Sequence, residues 1–205
     1  MGRSVANVCT SDTITPHCVC IKLAELININ VEMPLITQNV NKLHKDSGID
    51  DSKITELHGN ATYAKCLDCS KRYELDSLKE DFLITKEPPV CSECKGVIKT
   101  ATISFGQAMP EEEMITAQRV SIKSDLFICL GSSLAVFPAA DLPLLATDPG
   151  AKLVILPNDP TQIDPLAAFV ITQAISDAVS YTSLLIPTPL YVSPPDGRVT
   201  LPPSQ

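Results

Sequence analysis

Positive charge is scarce in this chain of 205 residues: 16 Lys and Arg face 24 Asp and Glu, a net charge of −8. Phosphate binding draws on clustered Lys and Arg, so this balance argues against a nucleic-acid groove. Long apolar runs are also missing. Residues 1–20 contain no cationic stretch followed by a continuous apolar one, and later apolar runs are short and broken, so neither a signal peptide nor a membrane span is expected. Histidine is limited to three positions, His17, His44 and His58, which leaves few candidates for a general base. Internal repeats are absent. What is present is 44% hydrophobic residues, enough for a sizeable core in one domain with a small insertion.

Eight cysteines stand against these absences, four of them in the pairs Cys66-x-x-Cys69 and Cys91-x-x-Cys94. Each pair can place two thiolates on one ion, and together they satisfy tetrahedral zinc in a closed structural site. Two disulfides are the alternative. Cys9, Cys18, Cys20 and Cys129 have no such spacing, which favours a reducing compartment and a cytoplasmic protein. Cys129 also reads simply as a small buried hydrophobe.

Along the chain, a helical stretch around Lys22 to Ile29 precedes Leu35-Ile36-Thr37, the end of a buried strand. From Asn60 to about Thr100 the sequence turns polar and carries both cysteine pairs and Pro88-Pro89, as a zinc-stapled insertion would. Pro110 then opens a helix whose first turn, Glu111 to Glu113, suits the positive end of the helix dipole. Its core face is Met114, Ala117 and Val120. Asp125 to Leu130 reads as a strand ended by Gly131-Ser132-Ser133 and followed by an apolar helix near Ala139 to Ala146. Lys152 to Leu156 and Phe169 to Ile171 complete a series of short apolar strands alternating with helices, which implies a parallel sheet covered on both faces. Ligands of such sheets sit beyond the carboxyl ends of the strands, where Thr37-Gln38-Asn39 and Gly131-Ser132-Ser133 both fall. The Gly-Ser-Ser turn can bond a ribose or phosphate, and it can equally be an ordinary strand-to-helix cap. Between Pro187 and Gln205 six prolines block helix and central strand alike, so this segment reads as a disordered tail.

The ordered set Ile36-Thr37-Gln38-Asn39-Val40-Asn41-Lys42-Leu43-His44, Glu56-Leu57-His58-Gly59, the four paired cysteines, Phe105-Gly106-Gln107, Gly131-Ser132-Ser133-Leu134 and Val136-Phe137-Pro138 resembles the sirtuins. Thr102 to Pro110 looks like the bacterial-type branch. The resemblance covers about Pro16 to Ile175. It implies an incomplete Rossmann-like α/β domain with helices on both faces, formed by 1–59 and 101–180, with a small four-cysteine zinc module at 60–100 and a tail at 181–205. The activity it implies is NAD-dependent protein-lysine deacylation, the acyl group passing to ADP-ribose as nicotinamide is released. The implied partners are an acyl-lysine protein or peptide, neither nucleic acid nor membrane, and a partner chain covering the incomplete sheet.

The resemblance also implies roles. His58 matches the general base, which takes a proton from a ribose hydroxyl; imidazole suits that work near neutral pH. As a bare residue it reads as a loop histidine. Gln38, Asn39 and Asn41 would line the nicotinamide and ribose pocket, where the bare reading is loop capping by asparagine. Gly131, Ser132 and Ser133 match the turn that holds the ribose and phosphates, and Asn158, next to the place of a family asparagine, and Ile175, in a loosely matching segment, are further cofactor positions. Phe105, Gly106 and Val136 match the acyl-lysine channel, although as bare residues Phe105 and Val136 read as core. Cys66, Cys69, Cys91 and Cys94 match the zinc ligands.

Departures accompany the matches. The family opens with a strand leading into a Gly-Ala-Gly-x-Ser loop and an Asp-Phe-Arg motif, whereas here Gly2 is the only glycine before Gly48. With 36 residues ahead of Thr37, the first strand and its loop are both expected to be missing. Asn41 replaces the family's aspartate, and Pro157 replaces an asparagine that Asn158 stands beside. Thr172-Gln173-Ala174-Ile175 matches the adenine segment only loosely. A second reading follows from these departures: a catalytically impaired, zinc-bearing module that binds acyl-lysine or a protein partner without turnover. A nucleic-acid knuckle built on Lys65, Lys71, Arg72 and Lys95 is opposed by the overall acidity.

Overall fold

The structure, a computed structural model, describes residues 2–6, 18–29 and 33–172. Ile175, expected at the cofactor, and the proline-rich segment lie outside the described residues. In chain order the elements are β1 (Gly2–Ala6), α1 (Cys18–Ile29), β2 (Leu35–Thr37), α2 (Leu43–Asp46), β3 (Ile54–Glu56), β4 (Gly59–Cys66), β5 (Arg72–Glu74), α3 (Leu75–Thr85), β6 (Ile98–Thr102), α4 (Glu111–Lys123), β7 (Ser124–Leu130), α5 (Leu142–Thr147), β8 (Lys152–Leu156) and β9 (Phe169–Val170).

Two sheets organise them. A six-stranded sheet runs in the order β3-β2-β1-β7-β8-β9 with every described pairing parallel, and a three-stranded antiparallel sheet runs β5-β4-β6. The larger one is the doubly wound order of a Rossmann-like α/β fold, and its connections reverse direction between β1 and β7.

The strands read as short apolar runs because both faces are covered. Leu35 of β2, Ile128 and Leu130 of β7, and Val154 and Leu156 of β8 pack with Leu23, Ala24 and Ile27 of α1 and Leu43 of α2. Their sequence neighbours Ile36, Phe127, Cys129, Leu153 and Ile155 pack on the opposite face with Ala117 of α4 and Leu142 and Ala146 of α5. The period of two therefore holds on β2, β7 and β8, each strand dividing its apolar residues between two cores. Ala117 and the flanking half-buried Met114 and Val120 form the inner face of α4 as its spacing predicts, with buried Ser121 added; the Ser121 hydroxyl donates to the Ala117 carbonyl at 2.8 Å. Cys129 is 1% exposed, and burial pushes its thiol up, so it stays neutral and acts as a small hydrophobe.

One expectation needs correction. The first strand, read as missing, is present as β1, whose Val5 and Ala6 pair with Leu35 and Ile36 on one side and with Ile128 and Cys129 on the other. The unit from Gly2 to Thr37 counts 37 − 2 + 1 = 36 residues, above the roughly 30 that a strand-helix-strand crossover needs. Gly-Arg-Ser-Val-Ala escapes recognition because it holds one β-branched residue and no long apolar side chain. Residues 7–17, which follow it, contain no glycine and lie outside the described residues.

Gly59 joins the two sheets at the start of β4. Its φ is +71°, and a Cβ there would lie 2.0 Å from the Ala101 carbonyl oxygen on β6. Gly48, at φ +93°, faces open space. Gly59→Ala is expected to cost more than about 2 kcal/mol, since the clash adds to the left-handed penalty, whereas Gly48→Ala bears the roughly 1–2 kcal/mol penalty alone. Thermal denaturation of both variants checks this; equal losses would show that the approach at Ala101 is not limiting.

Candidate active site and metal centre

The carboxyl edge of the six-stranded sheet gathers the expected cofactor and catalytic residues from elements far apart in sequence. β2 and β3 are parallel neighbours with Thr37 opposite Glu56, so the residues that follow each strand emerge together. The Leu57 amide donates to the Thr37 carbonyl at 2.9 Å, and the Ala61 amide donates to the Val40 carbonyl at 2.8 Å, extending the pairing past both strand ends. His58 thereby sits beside Gln38, and its Nδ1 lies 3.1 Å from the Gln38 carbonyl oxygen. A carbonyl only accepts, so Nδ1 carries the proton and Nε2 presents its lone pair. The His58 carbonyl in turn accepts from the Ile103 amide at 2.9 Å, which ties the end of β6 to the same point.

The Gln38 side chain reaches across the sheet. Its Nε2 lies 3.5 Å from Ser132 Oγ, on the turn after β7, although β1 separates β2 from β7. This spans the crevice at which the connections reverse, where ligands of such sheets bind. Ser132 Oγ also accepts from the Leu134 amide at 3.2 Å, and the Gly131 amide donates to the Leu156 carbonyl at 3.0 Å; the turn is not the expected helix cap, since the helical segments that follow begin after Pro138 and Asp141 without a side-chain cap. Asn41 Oδ1 accepts from the Leu43 amide at 3.4 Å, in the first turn of α2. Ser133 and Asn158 are exposed beyond β7 and β8.

Phe105 and Val136 correct the bare reading that places them in the core: Phe105 is 100% exposed and Val136 41%, with the neighbouring Phe137 at 68%. They lie on loops past strand ends, where no second layer covers them. The Gln107 amide donates to the Ser104 carbonyl at 2.9 Å, closing a turn that holds Phe105 outward two residues from Ile103. A cleft of about 230 Å³ opens nearby, lined by Glu56, Gly59, Lys65, Thr102, Ile103 and Gln107 among others, and it takes in none of the expected cofactor residues.

Behind the edge lies a pair that spacing alone does not reveal. Thr37 and His44 are 1% and 3% exposed, with Thr37 Oγ1 3.0 Å from His44 Nε2. The same hydroxyl oxygen accepts from the Asn39 amide at 3.1 Å. Among the described residues His44 Nδ1 is buried without a hydrogen-bond partner. Burial pushes the imidazole down from 6.5 to about 4, because the charged ring would lose its hydration.

The four paired cysteines form the second centre. Their sulfurs all lie within 4.8 Å of one another, Cys66 to Cys94 at 3.3 Å and Cys69 to Cys91 at 3.6 Å. Tetrahedral zinc with Zn–S of about 2.3 Å separates its sulfurs by roughly 3.8 Å, whereas a disulfide needs about 2.05 Å. Cys66, Cys69, Cys91 and Cys94 are free of disulfide bonds. Each pair closes the same local turn: Ser70 donates to the Cys66 carbonyl at 3.0 Å and Lys95 to the Cys91 carbonyl at 3.1 Å, with Ser70 at φ 60° and Lys95 at φ 63°. The Tyr73 hydroxyl donates to Cys91 Sγ at 3.1 Å and accepts from the Ser92 amide at 3.0 Å. That phenol first, with nearby backbone amides, holds the Cys91 thiol down at about 6. At Cys94 the Gly96 amide favours the thiolate, but the sulfurs of Cys66 and Cys69 outweigh it and push the thiol up to about 12. Four thiolates at this spacing repel one another unless a cation sits among them, so the donor set fits a structural zinc.

The comparisons agree with this geometry. The Sir2 family profile matches residues 4–138. An NAD-dependent protein deacetylase of Rhodopseudomonas palustris is 46% identical over 157 residues, covering 77% of this chain and 62% of that protein. NAD-dependent protein deacetylase 1 of Bradyrhizobium diazoefficiens is also 46% identical over 157 residues, covering 77% of this chain and 61% of that protein. The chain thus spans about six-tenths of the length of these curated relatives. Among solved structures, Sir2 bound to an acetylated peptide superposes with TM-score 0.76 at 31% identity, over 83% of this chain and 70% of that one. A Sir2 complex with a p53 peptide and NAD+ superposes with TM-score 0.76 at 32% identity, over the same shares. A parallel doubly wound sheet with a four-cysteine side module is the architecture in question, and the chain belongs to the Sir2 family.

Two expectations concern these centres. The purified chain should bind one zinc, and Tyr73→Phe should keep that stoichiometry while losing it to a competing chelator about tenfold more readily, as thiolate-supporting hydrogen bonds do elsewhere. A metal-free native mass spectrum, or identical chelator curves, would contradict this. For His44, the folded state binds its proton near 4 and the unfolded state near 6.5, so stability is full above about 6.5 and falls as pH drops towards 4. The loss is on the order of 3 kcal/mol over that window. His44→Leu should flatten this part of the melting-temperature profile relative to the parent chain.

Proposed function

We propose that this chain carries the catalytic apparatus of an NAD-dependent protein-lysine deacetylase, the acyl group passing to ADP-ribose with release of nicotinamide. The observation that carries the reading is the chain of contacts from His58 through Gln38 to Ser132 across the crevice at the carboxyl edge. NAD, as co-substrate, supplies the activated ribose carbon at which the acyl oxygen reacts. The residues here suit it: the Gln38 amide and the Ser132 hydroxyl offer neutral donors and acceptors to a carboxamide and to ribose hydroxyls.

His58 is the base in this reading. Its Nδ1 proton is engaged by Gln38, which leaves Nε2 to take a proton from a ribose hydroxyl. Gln38, Asn39, Asn41, Gly131, Ser132, Ser133 and Asn158 are the proposed cofactor positions, and Ile175 is a further one outside the described residues. Phe105, Gly106 and Val136 are proposed to meet an extended acyl-lysine peptide, since exposed apolar side chains on loops past the strand ends can cover an acyl-lysine stem. The module at 60–100 holds zinc through Cys66, Cys69, Cys91 and Cys94 and sits within a domain formed by 1–59 and 101–180. No described helix is long and apolar enough to cross a membrane, and the free thiols suit a cytoplasmic setting. A partner chain covering the sheet is not needed at β1, which has β2 and β7 on its two sides.

The test is NAD-dependent release of acetyl groups from a lysine peptide by the purified chain, with His58→Ala as control. Turnover that falls at least about a hundredfold in the variant while its zinc is retained supports the proposal. A folded, zinc-loaded chain that binds acetylated peptide without turnover would replace it with the binding-module reading.

A further inference from the structure

We infer that His44, which touches none of the proposed cofactor positions through a side-chain bond, is a positioning residue: through the Thr37 hydroxyl it sets the Gln38-Asn39 turn and hence the orientation of the His58 ring.

Thr37 is bonded on both its backbone and its side chain. Its carbonyl accepts from Leu57, aligning the segment that carries His58, while its hydroxyl oxygen accepts from the Asn39 amide and meets His44 Nε2. Between these two fixed points lies the Gln38 carbonyl, the group that engages His58 Nδ1. A rotation of the Gln38-Asn39 peptide units would break the Asn39 bond and swing that carbonyl off the imidazole. The Thr37 hydroxyl hydrogen needs an acceptor in a site 1% exposed, and among the described residues His44 Nε2 lies within reach at 3.0 Å. In that arrangement the neutral imidazole accepts at Nε2 and carries its proton on Nδ1, the buried atom without a partner.

Keeping an unpaired polar atom in the core costs free energy. A leucine would fill the space but leave the buried Thr37 hydroxyl without its acceptor. The one bonded nitrogen of the His44 ring is thus the one that faces the turn carrying the Gln38 carbonyl.

The inference rests on the deacetylase reading only for its kinetic measurements. With three histidines in the chain, side-chain nitrogen NMR resolves His58 directly. In the parent chain His58 should appear as the Nδ1-protonated tautomer. His44→Leu and Thr37→Val should shift it towards a tautomer mixture with zinc content and far-UV circular dichroism unchanged, and His44→Gln, whose amide oxygen can accept from Thr37, should restore it. In turnover, His44→Leu should lower kcat about tenfold or more with a smaller change in peptide KM, and His44→Gln should recover most of the loss. An unchanged His58 tautomer in both His44→Leu and Thr37→Val overturns the inference, as does equal impairment of His44→Leu and His44→Gln. A parent chain without NAD-dependent turnover would remove the deacetylase reading, and the tautomer measurement would still decide the role of His44.

Discussion

The bond from the Leu57 amide to the Thr37 carbonyl prolongs the parallel register of β2 and β3 by one step, and the candidate site is assembled around it. Strand pairing here serves less to stabilise than to align. A slip of one residue would turn Thr37 and Leu57 to opposite faces and carry the imidazole away from the Gln38 carbonyl. The reach of Gln38 over β1 to the turn after β7 starts from that alignment.

The zinc-binding unit is joined to the same place at both of its ends. β4 leaves directly from His58 and ends at Cys66, while β6 starts opposite Cys66 at Ile98 and returns to Thr102 beside Gly59. One two-stranded ladder thus has a thiolate at one end and the imidazole at the other. The close approach of Gly59 to Ala101 is what lets the ladder begin so near the histidine. A closed four-sulfur site offers no open position for a further ligand, so what it does here is staple this ladder at its far end.

Much of this was legible in the residues because the physical signals were local. Apolar runs at 125–130 and 152–156, a proline followed by acidic residues at 110–113, and thiols in close pairs each reflect one element's own requirements. What could not be read depends on where elements meet. β1 has little apolar content of its own and is a strand because it has neighbours on both sides. Thr37 and His44 stand seven positions apart around a polar loop, and only the fold of α2 back against β2 makes them a pair. Phe105 and Val136 carry core-like side chains, but they extend past the strand ends where no layer lies over them.

The position of β1 in the middle of its sheet also bears on how the chain reaches this state. Val5 pairs with Leu35 on one side and with Ile128 on the other, separations of 35 − 5 = 30 and 128 − 5 = 123 residues. The central seam therefore closes the longest loop among these pairings, and loop-closure entropy opposes it until both flanking halves have formed. The β2–β3 half and the β7–β8–β9 half can each collapse on their own helices before that seam joins them. The crevice bridged by Gln38 and Ser132 spans the same seam, so the two sides of the candidate site belong to halves of the sheet joined by its least local pairing.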